Sequence, residues 1–170
     1  MKIMFISDIH GSVDSLTRIK EIYDIEKPNE LIILGDVYLG GFNSIDELND
    51  ILESINNKIV IRGNCDSEVD VLTSPLMFID YYYDTLFGKK FFCTHGHIYN
   101  ISRFPNKDFD VMVSGHTHRG MILKDNGKYF LNPGSISRPR GDSDKSFMII
   151  DDSGIYLKDL DNNIIDKLSW

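Results

Sequence analysis

The stretch KIMFISDIHGSVDSLTRIKEIYDIEKPNELIILGD, from Lys2 to Asp36, has the pattern of a strand, a helix and a second strand. Its two short apolar runs, KIMFIS and ELIILG, have the length and composition of buried strands. Between them, from about 12 to 24, apolar residues recur on one face of a helix, at Val13, Leu16, Ile19, Ile22 and Tyr23. This order predicts a right-handed crossover between parallel strands.

The same signals recur along the rest of the chain. SIDELNDILESIN predicts a second helix, with Ser44 as its N-cap and Glu47 completing a capping box, and KIVIRGN predicts a third strand. Strands are also predicted in PLMFIDYYYD, KKFFCTHGH and DVMVSGHTH. GMILKDNGKYFLNPGS and KSFMIIDDSGIYLKDLD predict antiparallel hairpins with Asn-Gly and Ser-Gly turns. The pattern favours an α/β fold of two packed sheets with helices on the outer faces.

Composition limits the classes of protein to consider. The chain has 170 residues, 42% of them hydrophobic, which is enough for one globular domain covering 1–170. A formal net charge of −8 repels nucleic acid and anionic membranes, so a phosphate-bearing partner would need a local positive site. Two cysteines without a disulfide framework, and the lack of a signal sequence or membrane span, predict a cytoplasmic protein. A homo-oligomer stays open.

Polar side chains follow five of the predicted strands. They include all five histidines of the chain and lie in SDIHG (Asp8, His10), LGDVYLGG (Asp36), RGNCD (Asn64, Cys65, Asp66), CTHGH (His95, His97) and SGHTH (His116, His118). Each motif alone has an ordinary explanation as a helix cap, a turn or a satisfied core residue. Together they are expected to converge at one edge of an α/β sheet, where ligands bind. This convergence predicts a metal site.

The donor set indicates the number and kind of metal ions. The seven candidate ligands are Asp8, His10, Asp36, Asn64, His95, His116 and His118. Seven donors are too many for one tetrahedral ion and suit two ions that share a carboxylate. A mixture of oxygen and imidazole donors without a thiolate favours divalent transition metals over calcium. We expect Mn(II), with Fe, Zn or Ni as alternatives.

The ordered motifs DxH, GD, GN, HGH and GHTH resemble those of the calcineurin-like metallophosphoesterase superfamily. LNPGSISRPR extends the resemblance to its branch of small YfcE-type phosphodiesterases, to which the retromer scaffold subunit is related. The resemblance implies a four-layer α/β/β/α sandwich of two mixed β-sheets flanked by helices. It also implies one ion held by Asp8, His10 and His118, a second held by Asn64, His95 and His116, and Asp36 bridging them.

The implied activity is hydrolysis of a small phosphodiester by attack of a metal-bridging hydroxide, with weak phosphomonoesterase activity. The candidate catalytic residues are Asp36, Asn64, Cys65, Asp66 and His97. Cys65 stands where the superfamily usually has a histidine, and a thiol gives a dianionic monoester less help than an imidazolium does. His97 supports a metal ligand from outside, contacts a phosphate oxygen or is a surface residue. Asp66 either orients the segment that it shares with Asn64 and Cys65 or caps a turn.

Two other functions are open at this point. A scaffold of the same fold would use its surface more than its centre, and DYYYD and YNISRFPN could form an apolar contact patch, although half-buried strands explain alternating tyrosines better. A nuclease is disfavoured because the chain has no basic track: Arg138 and Arg140 are an isolated pair.

Overall fold

The computed structural model describes residues 1–38 and 45–170. The elements in chain order are β1 (Lys2–Ile6), α1 (Val13–Glu26), β2 (Glu30–Ile33), α2 (Ile45–Glu53), β3 (Lys58–Ile61), α3 (Glu68–Thr73), β4 (Phe78–Ile79), β5 (Tyr81–Leu86), β6 (Lys89–Thr94), β7 (Val111–Ser114), β8 (Gly120–Asp125), β9 (Lys128–Pro133), β10 (Ser146–Asp151), β11 (Gly154–Asp159) and β12 (Ile164–Ser169). The predicted N-cap Ser44, and with it the capping box of α2, lies outside the described residues.

The first sheet has seven strands in the order β12-β11-β10-β1-β2-β3-β4. The parallel pairing predicted for β1 and β2 is confirmed, with Ile3 opposite Glu30 and Ile6 opposite Ile33. The strands β1 to β4 run parallel to one another, whereas β10, β11 and β12 are antiparallel neighbours. The sheet is therefore mixed.

The second sheet has five strands in the order β5-β6-β7-β9-β8. Its centre, β6-β7-β9, is parallel, and β5 and β8 pair antiparallel at its edges. Both predicted hairpins are confirmed, as β8-β9 and β10-β11. Asn126 and Gly127 have φ values of 48° and 79°, the left-handed conformation that a tight hairpin turn requires.

The apolar residues form layers on both faces of the first sheet. Leu16, Ile19 and Ile22 of α1 and Leu48 and Leu52 of α2 pack on one face. The other face packs against the inner face of the second sheet in a continuous buried core. The predicted fold class, α/β with two packed mixed sheets, is confirmed.

The outer face of the second sheet differs in detail from the expected helical layer. Its buried residues Phe92, Met112 and Phe130 pack with Phe109 and Tyr99, which belong to the segment 95–110. That segment has no helix, only turns, bends and an isolated bridge. Apolar side chains from an irregular segment thus cover part of the second sheet, whereas α1 and α2 pack on the first sheet.

Five strands bring the predicted polar loops to one edge of the molecule. Parallel strands present their carboxyl ends at the same edge, and β1, β2 and β3 do so in the first sheet while β6 and β7 do so in the second. The loops are also joined directly, because Asp8 N donates to Gly35 O at 3.1 Å and Gly115 N to His95 O at 2.8 Å. No helix in the described part of the chain is long and apolar enough to cross a membrane.

Candidate metal centre

Four side chains from three loops converge on one buried point. One donor atom from each of Asp8, His10, Asp36 and His118 lies within 4.8 Å of the others, and all four residues are buried. We call this set the first cluster. His10 Nε2 lies 3.2 Å from His118 Nε2, and His118 Nε2 lies 3.3 Å from Asp8 Oδ1. Such a concentration of donors in the interior requires a positive charge to stabilise it.

The protonation of the first cluster fits a divalent cation. Burial lowers the pKa of His10 to about 4, so at neutral pH its imidazole is uncharged and offers a lone pair. His118 Nδ1 donates to Arg138 O at 2.6 Å, which leaves the lone pair on Nε2 facing the cluster. Asp8 Oδ1 is buried and has no hydrogen-bond partner. A buried carboxylate oxygen and imidazole nitrogens gathered at one point suit a metal ion.

A second group of donors adjoins the first cluster. His95 Nε2 lies 3.0 Å from Asn64 Oδ1 and 3.3 Å from Asp36 Oδ1. His95 Nδ1 lies 2.7 Å from Leu34 O, the same backbone support that His118 receives. Burial disfavours the charged form of His95. The Asp36 and Asp8 carboxylates have the larger combined effect and raise the pKa of His95. This position therefore attracts positive charge.

Asp36 lies between the first cluster and the second group. Its Oδ2 is 3.6 Å from His10 Nε2, and its Oδ1 is 3.3 Å from His95 Nε2. Burial opposes the charge on Asp36, but the hydrogen bond and positive charge of His95 hold the pKa of the carboxyl well below its usual range. A charged carboxylate thus presents one oxygen to each set of donors.

The two histidines of SGHTH face different parts of the site. His118 belongs to the first cluster, whereas the ring centroid of His116 lies 5.1 Å from that of His95. His116 N also donates to Asp8 Oδ2 at 3.0 Å, which ties the loops after β1 and β7 together. The exposed His97 lies at the mouth of the site, with its ring 5.3 Å from that of His95.

Comparison with known proteins agrees with this geometry. The model of the calcineurin-like phosphoesterase superfamily domain matches residues 1–154. The chain belongs to the calcineurin-like phosphoesterase superfamily. It is 35% identical to phosphodiesterase YfcE of Escherichia coli over 162 residues, which cover 89% of this chain and 88% of the relative.

Solved structures support the same assignment. The E. coli YfcE phosphoesterase superposes with a TM-score of 0.90 at 32% identity, covering 99% of both chains. Wild-type Vps29 of Entamoeba histolytica superposes with a TM-score of 0.71 at 22% identity, covering 99% of both chains, and shows the shared fold. Membership of the superfamily and the buried His/Asp cluster together make this chain a metal-binding phosphoesterase.

Asp66, predicted as a catalytic candidate, lies beneath the site as a support for the loop after β2. Its carboxylate accepts hydrogen bonds from the backbone N–H groups of Asp36, Val37, Tyr38 and Gly63 at 2.8–3.0 Å. The side chain is buried and its two oxygens accept from the backbone of the Asp36 loop, so Asp66 positions Asp36. Two roles were expected for Asp66, orienting neighbouring site residues or capping a turn. These contacts favour the first.

Cys65 lies beside the Asp36 carboxylate. Its backbone N–H donates to Asp36 Oδ1 at 2.8 Å, and its thiol is partly exposed. Burial and the charges of Asp36 and Asp66 raise the pKa of the thiol to about 11. The thiol is therefore protonated at neutral pH and is a weaker acid than a free cysteine.

The backbone of the ligand loops adopts conformations that the sequence did not reveal. Asp8, His10, Asp36, His116 and His118 have φ values between 47° and 68°, in the left-handed region. Non-glycine residues seldom adopt this region, and it costs of order 1–3 kcal/mol where the surroundings must enforce it. Five strained residues in one donor set indicate that the fold maintains the site against local preference.

Part of that enforcement comes from residues for which no role was predicted. Ser135 Oγ and Ser137 Oγ donate to Asp8 O at 2.8 and 2.9 Å. Asn132 Nδ2 donates to Gly115 O at 2.8 Å, which supports the loop of His116. The signal was present in LNPGSISRPR, a cluster of turn-forming residues directly after a strand, but only the fold shows which loops it supports.

Glycine is required where two of these loops cross. A Cβ on Gly63 would overlap Asp36 Oδ1, and a Cβ on Gly115 would overlap Ser7 Oγ. These positions let the backbone of one loop lie directly against a side chain of another.

Proposed function

We propose that this chain is a dinuclear, metal-dependent phosphodiesterase. The observation that carries the proposal is the position of Asp36, whose two carboxylate oxygens face two different groups of lone-pair donors. Asp8, His10 and His118 would hold one ion, Asn64, His95 and His116 would hold the other, and Asp36 would bridge them. The mixture of imidazole, carboxylate and amide donors in this set supports divalent transition metals, with Mn(II) favoured over Fe, Zn or Ni.

The chemistry follows from the charges of these residues. When bound, two divalent ions would supply Lewis-acid activation of water and neutralise charge on the phosphoryl oxygens. The negative charge of Asp36 would offset part of the repulsion between two bound cations. Asn64 adds a donor without adding negative charge, so the centre keeps a net positive charge for an anionic ester.

The residue next to Asn64 supports diesters over monoesters. The Cys65 thiol is neutral at neutral pH and cannot supply the positive charge that a dianionic monoester requires. A diester carries one negative charge less, and one with a stable leaving anion needs little protonation. The name of the E. coli relative, a phosphodiesterase, supports the same choice.

His97 is proposed to contact a phosphoryl oxygen. It is exposed at the mouth of the site, with its ring 6.3 Å from that of His116 and 5.3 Å from that of His95. Burial and the charge of His95 lower its pKa, so at neutral pH it would act as a neutral hydrogen-bond donor.

A scaffold function has less support from the described residues. The tyrosines of β5 pack on the second sheet: the ring of Tyr81 stacks on that of Phe92 at 5.2 Å, and that of Tyr83 lies 6.5 Å from it. These contacts favour the explanation of the tyrosines as half-buried strand residues over an apolar contact patch.

The proposal is tested with bis(para-nitrophenyl) phosphate and para-nitrophenyl phosphate as matched substrates. Protein treated with a chelator is expected to hydrolyse the diester only after Mn(II) is restored, and to hydrolyse the monoester more slowly. His10→Ala should abolish both reactions, whereas Arg18→Gln, on the far side of the first sheet, should leave them unchanged. Full activity in metal-free protein, or a metal-loaded protein that hydrolyses no diester from neutral to alkaline pH, would overturn it.

A further inference from the structure

A cleft on the outer face of the second sheet opens beside the proposed metal centre. It has a volume of about 640 Å³, and His116 forms part of its wall. The cleft exists because the irregular segment 95–110 covers only part of this face. Its size falls within the range of pockets that hold a small organic ligand or a mononucleotide.

The base of the cleft is apolar. Met112, Met121 and Phe130 line it from β7, β8 and β9, and Ile101 lines it from the segment 95–110. Methionine side chains adapt to flat ligands and make favourable contacts with aromatic rings through their sulfur atoms. This surface suits a ring-sized apolar group.

Two arginines, Arg119 and Arg140, form the polar wall of the cleft. A Cβ on Gly141, the residue after Arg140, would lie 3.4 Å from the Arg119 Nε and Nη2 atoms, so the Arg119 guanidinium lies along this segment. Arg140 N donates to His118 O at 3.1 Å, which joins the segment to the loop of the first cluster. The arginines therefore lie beside the apolar base and close to the donor set.

Neither guanidinium has a carboxylate partner within 4.0 Å among residues 1–38 and 45–170, whereas five lysines of the same part of the chain do. The residues that line the cleft include no aspartate or glutamate, although the chain carries a net charge of −8. Two arginines that line one cleft are suited to an anionic oxygen group such as a carboxylate or a phosphate.

We propose that this cleft binds one ester group of the substrate. This group consists of an apolar ring, which contacts the base of the cleft, and a second anionic group, which Arg119 and Arg140 bind. The inference rests on the proposed phosphodiesterase function and names its substrate class. The reacting phosphoryl group would lie at the metal centre, with His116 at the boundary between the two. A small diester with a second negative charge is favoured, and a polynucleotide is not, because the wall contains two cations rather than a basic track.

Binding of stable analogues tests the cleft without turnover. The probes are phenylphosphonate and its para-carboxyl, para-carbamoyl and para-phosphono derivatives, titrated calorimetrically into the Mn(II)-loaded protein. The carboxyl compound is expected to bind ~10-fold more tightly than the isosteric carbamoyl compound, since the carboxylate makes charge-assisted hydrogen bonds. The para-phosphono compound distinguishes a phosphate-binding wall from one that prefers a carboxylate. Arg119→Gln and Arg140→Gln should each reduce the preference, and Arg18→Gln should preserve it.

Kinetics provide the second readout. Three para-nitrophenyl phosphate diesters are compared, in which the second ester group is phenyl, para-carboxyphenyl or methyl. The leaving group is para-nitrophenolate in all three. The carboxylated substrate should have the lowest KM, and Arg119→Gln should raise that KM while kcat changes little. Met121→Ala should weaken the two aryl substrates and leave the methyl substrate unaffected.

The outcomes separate the two proposals. A carboxyl preference in binding that depends on the arginines, without hydrolysis of any diester, would retain the cleft assignment and refute the phosphodiesterase. Active protein with no carboxyl preference, or with a preference that survives both arginine substitutions, would overturn the cleft assignment alone. Circular dichroism of each variant checks that it is folded. Arg119→Lys keeps the positive charge and should restore the charge-dependent part of the carboxyl preference, which excludes loss of fold as the cause.

Discussion

At the scale of single residues, Asp36 decides how the donor set functions. Its Oδ1 faces His95 and its Oδ2 faces His10, while its backbone is held in a left-handed conformation by Asp66. No other described carboxylate lies between the two groups of donors in this way. Its removal should therefore affect both ions, whereas the loss of a terminal ligand should affect chiefly one.

Asp36→Asn is expected to lose more bound metal and more activity than His116→Ala. An amide supplies one oxygen in place of two and lacks the negative charge that offsets cation repulsion. Metal content per chain, measured by mass spectrometry of the purified variants, and the rate with bis(para-nitrophenyl) phosphate give the comparison. Asp36→Asn with near wild-type metal and rate, alongside a metal-free His116→Ala, would show that the bridging assignment is wrong.

Cys65→His is expected to raise the ratio of monoesterase to diesterase activity. The partly exposed thiol has a pKa raised to about 11, and an imidazole at the same place would be a better proton donor with a positive charge. General acid catalysis is typically worth ~10²–10⁴-fold, so a poorly aligned histidine still gives a measurable change. Both rates are measured at saturating Mn(II), with Cys65→Ala as the control.

An unchanged ratio in a folded, fully metallated Cys65→His variant would remove the leaving-group explanation of diester preference. Loss of metal would instead mean that the larger side chain overpacks the space beside Asp36.

The motifs that the structure brings to one edge of the molecule could be found from the sequence, but the backbone conformations of their residues could not. Spacing such as DxH and GHTH places polar residues at strand ends, and that is local information. The left-handed φ values depend on contacts with distant residues: Asp8 is supported by Ser135 and Ser137, more than 120 positions away. No pattern within a single motif contains that information.

At the scale of elements, the loop after β2 is held by the loop after β3. Asp66 supplies all its acceptor capacity to four backbone N–H groups, three of which belong to residues 36–38. The two strands are parallel neighbours, so their carboxyl ends are close enough for this support. The position of Asp36 thus depends on a residue that does not face the metal site.

Asp66→Asn is expected to weaken metal binding ~10–100-fold, the usual effect of removing a partner that orients a ligand. The amide nitrogen cannot accept the N–H groups that one carboxylate oxygen now accepts, so at least one buried donor loses its partner. Titration of Mn(II) into chelator-treated protein measures the affinity, and Asp24→Asn on the exposed side of α1 is the matched control. Equal affinities for wild type and Asp66→Asn would show that Asp36 does not need this support.

Elements with strong local patterns were predicted correctly, and weakly patterned ones were not. The period of α1, the buried strands and the two hairpin turns are local features. The short helix α3 has no buried residue, and β12 is largely exposed, so neither has an apolar period to detect. The covering of the second sheet by the segment 95–110 depends on which distant residues leave its outer face open.

At the scale of the whole molecule, three arginines lie near the candidate metal centre of an acidic protein. Their charges act on the site histidines: Arg138 lowers the pKa of His10, Arg140 that of His116 and Arg62 that of His97, each adding to the larger effect of burial. A phosphoester is repelled by the net charge of −8 at long range and attracted once it is near this edge. Elsewhere, five of the twelve lysines have a carboxylate partner within 4.0 Å among the described residues.

One of these pairings joins three elements on the side of the first sheet opposite the second. Glu26, at the end of α1, accepts hydrogen bonds from Lys158 of β11 at 2.6 Å and from Lys2 of β1 at 2.9 Å. The side chains of Glu26 and Lys158 are 14% and 13% exposed, so solvent screens this pair only in part. Burial opposes the charge on Glu26, but the hydrogen bonds from Lys158 and Lys2 outweigh it and lower its pKa to about 2.

This lowered pKa predicts how stability depends on pH. A carboxyl with a pKa near 4.5 in the unfolded chain and about 2 in the folded one stabilises the fold above pH 4.5, and that contribution is lost as the pH falls toward 2. Glu26→Gln should therefore lower the free energy of unfolding by about 2 kcal/mol at pH 7 and by much less at pH 2. Urea unfolding of wild type and variant across this range gives the difference, in which effects common to both proteins cancel.

Glu21→Gln, which removes the exposed ion pair with Arg18, should change stability little at any pH. A difference between wild type and Glu26→Gln that stays constant from pH 7 to pH 2 would mean that Glu26 stabilises the fold by packing rather than by its charge.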